Sequence, residues 1–312
     1  MRGRPHALAV AVAGAGSVLF SWISAAVIAL VTLRKGAGEG AWLALWALLP
    51  AGIVWYLFGD GGSIALLLGT LSMALVLRAT VSLPLALLTS VAVGVACGLL
   101  MMVIAQAYLQ QLVALFDGFL TQMEQRVPPE GPALVLPRPG AAQVAGLLGA
   151  GTAMTSGLCL LLGRYWQAAL YNPGGFGEEF RALRYPVGVT LGLVVVALAL
   201  GAMGMELRTW MMICFVPLTF AGLALVHARA RVRGSGGGWL GVFYAGWMLF
   251  DPVRLLVVFF AVADSFLDFR QRWSPPSQAL NAPAPGDARS AEDSGREQAD
   301  EPEETDRKNG GS

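Results

Sequence analysis

Eight strongly apolar runs, at residues 7–33, 41–58, 64–77, 79–105, 141–163, 187–205, 209–226 and 239–263, the first seven of them uncharged, occupy most of this 312-residue chain. At about 1.5 Å per residue, a helix needs about 20 apolar residues to cross the hydrocarbon of a bilayer. Most of the runs meet that length or come near it. Charged residues make up only 13% of the chain, against about 25% in ordinary soluble domains, so the surplus apolar surface requires lipid as its solvent. The expected architecture is an all-α polytopic transmembrane helix bundle with six to eight membrane segments over residues 1–273.

Beyond Trp273 the composition changes to Pro, Ala, Ser, Gly, Asp and Glu. Residues 274–312 carry a net charge of −5, which leaves +6 for the rest of the chain. A segment so poor in large apolar side chains cannot offset its ordering entropy and is expected to be a disordered acidic tail.

Lys and Arg are retained on the cytoplasmic side of membrane proteins. If the intervening runs each cross once, Arg34, Lys35, Arg78, Arg164, Arg181, Arg184, Arg229, Arg231 and Arg233 share one side. The other side holds Arg126, Arg138 and Arg208. The nine-to-three bias predicts a cytoplasmic basic side in a bacterial inner membrane. Two ends resist simple assignment. A single crossing over 7–33 would put Arg2 and Arg4 outside, whereas a hairpin broken at Gly14–Ser17 keeps them inside. The last run is interrupted by Asp251-Pro252 and reads as one kinked span or two half-depth helices. The stretch after residue 105, with Gln106, Gln110 and Gln111, is expected to leave the bilayer as an interfacial helix, and the short 64–77 run to reach across only if Arg78 snorkels.

Within the membrane, small residues recur at four-residue spacing: Gly94/Gly98, Gly149/Ala153/Gly157, Gly188/Gly192 and Ala7/Ala11/Ala15. Such stripes let helices approach closely, and the first segment is expected to face a partner. Pro50, Pro84, Pro217 and Pro252 are expected to break or bend four segments. Asp251 and Arg254, at i, i+3, form a candidate buried intramembrane polar pair. Asp264 and Asp268 share a helix face near the interface, and Asp268 is expected to pair with Arg272.

The loop from Arg164 to Arg184 is built unlike a passive connector. Asn172-Pro173-Gly174 fits a turn, with Gly174 taking a positive φ. Gly175 follows, and then Phe176, Phe180 and Leu183 repeat at helical spacing, with Glu179, Arg181 and Arg184 on the remaining surface. A short amphipathic helix lying on the cytoplasmic face is predicted, with Tyr165, Trp166 and Tyr171 as interfacial aromatics.

This stretch, WQAALYNPGGFGEEFRALR, resembles the proteobacterial branch of the YybS-like family of multi-pass membrane proteins of unknown function. The ending Asp264-Ser-Phe-Leu-Asp268-Phe-Arg270 is similar to that family's closing D-x-x-x-D-F-R pattern. The resemblance spans residues 7–273 and implies a topology similar to the substrate-binding components of energy-coupling-factor vitamin transporters. It implies no established activity, and no vitamin-binding motif carries across.

An enzyme is not expected: HExxH, GxSxG and GxxxxGK[ST] are absent, and His6 and His227 sit at segment ends without carboxylate neighbours. Cys97, Cys159 and Cys214 lie inside apolar runs and lack metal-ligand spacing, so neither metal nor cofactor is predicted. The glycines of Gly234–Gly238 lack the Lys of a phosphate loop and read as a turn. Two functions remain. The first is a small-molecule-binding membrane component of a transport system, and the alternative is a non-catalytic membrane scaffold that recruits envelope-associated proteins. Expected partners are the lipid bilayer, a membrane or cytoplasmic protein and an unidentified small molecule, with no nucleic acid.

Overall fold

The computed structural model describes residues 4–17, 19–126, 136–234 and 237–273. The acidic tail and the middle of the Gly234–Gly238 turn lie outside these. Residues up to Arg270 form one compact unit, and of the second unit, from Gln271 onward, only the first three residues are described. Among the described residues every regular element is helical.

The helices are α1 (Arg4–Ala15), α2 (Ser21–Lys35), α3 (Ala37–Phe58), α4 (Gly62–Thr80), α5 (Leu83–Ile104), α6 (Gln106–Gln125), α7 (Ala141–Tyr171), α8 (Gly175–Arg181), α9 (Val187–Ala202), α10 (Met211–Val232), α11 (Gly237–Leu249), α12 (Asp251–Leu267) and α13 (Phe269–Trp273). Five, namely α3, α4, α5, α7 and α10 with the short turn before it, are long and apolar enough to cross a membrane. The bent pair α11–α12 makes a sixth if counted as one span. The protein is therefore an all-α membrane protein. At 16 residues α9 is short, yet its ends reach opposite faces. Tyr185, just before it, donates to the Pro84 carbonyl at the start of α5 (3.2 Å), and Met205, just after it, accepts from Gln143 near the start of α7 (2.7 Å).

Helix ends sort by charge. The Arg78 guanidinium at the end of α4 donates to the Thr32 and Leu33 carbonyls of α2, and Gln167 near the end of α7 reaches the same Leu33 carbonyl. Phe180 of α8 packs against His227 near the end of α10. Arg34, Arg78, Arg164, Arg184 and Arg229 thus gather at one end of the bundle, the basic face. The start of α7, the Met205–Leu207 turn and α6 mark the opposite face, where Arg138 is clipped to Asp117 and Glu124.

Of the two readings left open for the first hydrophobic run, the structure takes the hairpin, broken at its glycines. Ser24 of α2 donates to the Ala11 carbonyl of α1 across an antiparallel hairpin (2.8 Å), whose tip at Gly16 approaches Pro50. Pro50 lies about 20 Å along α3 from its basic-face start at 1.5 Å per residue. The hairpin therefore turns within the bundle and returns to the face it left, which puts Arg4 and Lys35 on the same side. Its Ala7/Ala11/Ala15 stripe does not face a partner as expected. These residues are buried in a cluster with Leu43, Ala44, Ala47 and Leu67, because small side chains let α1 settle against α2 and α3.

Four further expectations are corrected. The 64–77 run extends to the 19 residues of α4, because Arg78 is satisfied by the carbonyls of α2. The 141–163 run continues to Tyr171, so Tyr165, Trp166 and Tyr171 stand on the last turns of α7 and not in a loop. The expected proline breaks hold at Pro84 and at Pro252, each at the first turn of a new helix where the missing N–H costs nothing, but not at Pro50 and Pro217, which lie inside α3 and α10. Gly188 and Gly192 meet no neighbouring atom, while Gly94 and Gly149 set α5 against α7 so closely that a side chain at either would strike the other's carbonyl. As expected, α6 is a separate, largely exposed amphipathic helix after a break at Ala105.

Candidate site at the basic face

The Asn172–Gly174 segment forms the expected turn, with Gly174 at φ +92°. Pro173 is exposed within it, and Gly175 opens α8 against the Asn172 side chain. The helix after the turn, α8, is the expected short helix at the basic end, and its apolar stripe turns onto the bundle. Phe176 and Phe180 stack on each other and pack on the main core, and Leu183 is fully buried in it. Burying an apolar side chain of that size contributes about 2 kcal/mol, so this apolar stripe docks on the bundle in preference to lipid. Trp166 packs with the α1–α4 cluster, and Tyr165 and Tyr171 remain exposed.

The segment is held down by the chain's ending. Arg184 pairs with Asp268 (2.5 Å) and donates to the Ser265 carbonyl (3.2 Å). Arg270 donates to the carbonyls of Arg181 (2.5 Å) and Leu183 (2.7 Å), with its Nε 3.3 Å from Asp264. The Asp264 carboxylate, almost wholly buried, also accepts the Phe269 N–H (3.0 Å). Thr190 and Ser265 share a hydroxyl contact at 2.8 Å. Burial pulls the Arg270 guanidinium below the usual arginine range, with the Asp264 and Asp268 carboxylates acting in the other direction. Asp268, expected to pair with Arg272, is engaged by Arg184, and its left-handed conformation (φ +46°) ends α12. The two stretches singled out by sequence, around 164–184 and 264–270, thus form one contact network.

Beside this latch lies a polar vestibule. One cavity of about 510 Å³ is lined by Arg34, Arg164, Gln167, Ala168, Tyr171 and Asn172. A neighbouring one of about 360 Å³ is lined by Leu33, Leu77, Arg78, Val81, Arg164, Gln167 and Glu179. Arg164 pairs with Glu179 (2.7 Å) and contacts Gln167 (3.3 Å), while Arg34 stacks 4.8 Å from the Tyr171 ring centre. The two cavities share Arg164 and Gln167, and between them they are lined by three guanidiniums and one carboxylate. Arg34, Arg78 and Gln167 were not singled out from sequence as site residues. Their signal was there only as charge at segment ends, which reads as topology until the ends are brought together.

Two other cavities sit toward the opposite face. One of about 170 Å³ is wholly apolar, between Trp55, Leu68 and Met101. One of about 630 Å³ lies between Phe116, Leu147 and Met212 with Arg138, Glu206 and Arg208 in its walls. Asp251 and Arg254 line none of these four cavities. They do pair (3.1 Å), but the expectation of burial fails: their side chains are 86% and 51% exposed. The break at Phe250 explains the arrangement. Arg254 donates to the Trp247 and Met248 carbonyls, left without helical partners by the end of α11, and Asp251 stands at the N-terminus of α12.

Among the described residues no group of three or more His, Cys, Asp or Glu side chains could hold a metal ion. No protein-family model matches the chain, and no match is found among curated proteins or solved structures.

Proposed function

We propose that the chain is a non-enzymatic, small-molecule-binding membrane component of a transport system in a bacterial inner membrane, working with separate energising proteins. Its ligand site is the basic-face vestibule, turned toward the cytoplasm. The observation that carries this reading is the pair of adjoining cavities sharing Arg164 and Gln167. Their size is that of ordinary ligand pockets, about 300–1,000 Å³, and the excess of guanidinium over carboxylate favours a ligand with a negative group.

A recruiting scaffold receives less support. Glu179 and Arg184, the charges that would hold a partner to this segment, are engaged with Arg164 and Asp268.

Protein extracted mildly from its own membrane should retain a small molecule in native mass spectrometry, and Arg164→Ala or Arg34→Ala should release it. An empty protein that loses a co-purifying protein on Glu179→Ala or Arg184→Ala substitution would overturn the transport reading in favour of the scaffold.

A further inference from the structure

The hairpin α11–α12 turns by 112° at Phe250 and carries the Asp251–Arg254 pair at its tip. Its depth follows from its packing on α10. The Val257 backbone lies against Gly222, which is about 10 Å inside the basic rim at Arg229, taking 1.5 Å per residue. Asp251 lies further inward still, because α12 runs from Asp251 toward the basic-face latch at Asp264. The tip is therefore within the hydrocarbon, whose thickness is about 30 Å.

At that depth a charged side chain costs about 2.5–3.5 kcal/mol on insertion scales, and these two point outward from the bundle. Leu255 and Phe259, exposed on the same side of α12, flank them. Arg254 has two helix carbonyls and one oxygen of Asp251, but Asp251 is otherwise open. A surface that covers them and offers each charge a further partner presents both signs of charge at this depth, with apolar residues beside them. A second copy does so by symmetry. A twofold axis along the membrane normal places identical residues at identical depth, so Asp251 of each copy can meet Arg254 of the other.

We infer that the outward face of α12, with Asp251, Arg254, Leu255 and Phe259, is a homodimer interface within the membrane, closed by exchange of the Asp251–Arg254 pair between copies. Exchange converts two lipid-facing pairs into a four-charge cluster shielded by Leu255 and Phe259.

The experiment uses the full chain in its native membrane. The native cysteines are buried, so Leu255→Cys supplies the reporter. Oxidative cross-linking should give a band at twice the chain's mass. Asp251→Arg in that background gives each copy two cations, and Arg254→Asp gives each copy two anions; either alone should lose the band. Co-expression of the two, with different tags, should restore it as a mixed dimer. A band unaffected by either reversal overturns the ion-pair exchange. A product of any other mass assigns the face to a different protein. Ready labelling of Leu255→Cys by a membrane-impermeant maleimide places the tip in water, and so also overturns the interface. Should the charge-reversed copies fail to accumulate, the mass and labelling of the Leu255→Cys protein still decide.

Discussion

Asp264 is nearly inaccessible to solvent, and its two oxygens serve different partners, the Phe269 N–H and the Arg270 guanidinium. Replacing it by alanine takes from the largely buried Arg270 the nearer of its two carboxylates, a loss of about 3 kcal/mol, at the low end for a buried pair. The Arg184–Asp268 pair is more open, so Asp268→Ala should cost about 1 kcal/mol or less. Thermal unfolding in detergent checks the ordering, and equal effects would show that the two pairs act as one unit. Tyr185 offers a pH test of the same region. Its hydroxyl is buried against the Pro84 carbonyl, and burial pushes its pKa above the ordinary tyrosine value of 10. A value raised by folding means that the contribution is complete below the unfolded pKa, about 10, and disappears as pH rises through the folded value. Tyr185→Phe should cost about 1 kcal/mol at neutral pH and reduce the alkaline loss of stability, as read from unfolding between about pH 8 and 12.

For the helices, glycine spacing alone does not distinguish contact from exposure. Gly94 and Gly149 meet backbone to backbone, whereas Gly188 and Gly192 on α9 meet nothing, although all four satisfy the same four-residue rule. Gly149→Leu should therefore destabilise the bundle by about 1–3 kcal/mol or more through overpacking. Gly188→Leu should change stability by less than about 0.5 kcal/mol, as surface substitutions do. Thermal unfolding of both variants tests the contrast, and a large loss at Gly188 would mean that α9 has a neighbour outside the chain. What the sequence made legible follows the same division. Hydrophobic length located the helices, Gly14–Ser17 located the first hairpin and Asn172–Gly174 located the turn, because each depends on local backbone chemistry. The extension of α7 to Tyr171 was missed because Arg164, read as the start of a loop, has its neutralising partner, Glu179, beyond the turn. The latch was invisible for the same reason: Arg184 and Arg270 find their partners only after α12 has returned to the basic face.

Taken as a whole, the molecule reconciles charge placement with helix length by using two hairpins that do not cross. If α1–α2 crossed once, Arg4 would stand opposite Lys35; the Ser24–Ala11 contact makes them neighbours in face. If α11–α12 were one straight span, Asp264 and Arg270 would emerge on the face of Arg138 and Arg208; instead they bind the segment after α8. Between the hairpins, α3, α4, α5, α7, α9 and α10 alternate in direction, so an even number of crossings returns the chain to its starting side. Arg4 and Arg270 therefore both lie with the basic residues, and under the proposed inner-membrane location the retention of Lys and Arg makes that side the cytoplasmic one. Reporter fusions after Lys35, Ala79 and Gly236 should all report cytoplasm, as should one after Trp273, while a fusion after Arg126 should report the periplasm. A single crossing by the C-terminal pair would give a periplasmic signal after Trp273 alone. A periplasmic signal after Ala79 and Gly236 as well would invert the whole molecule and move the vestibule to the outer surface.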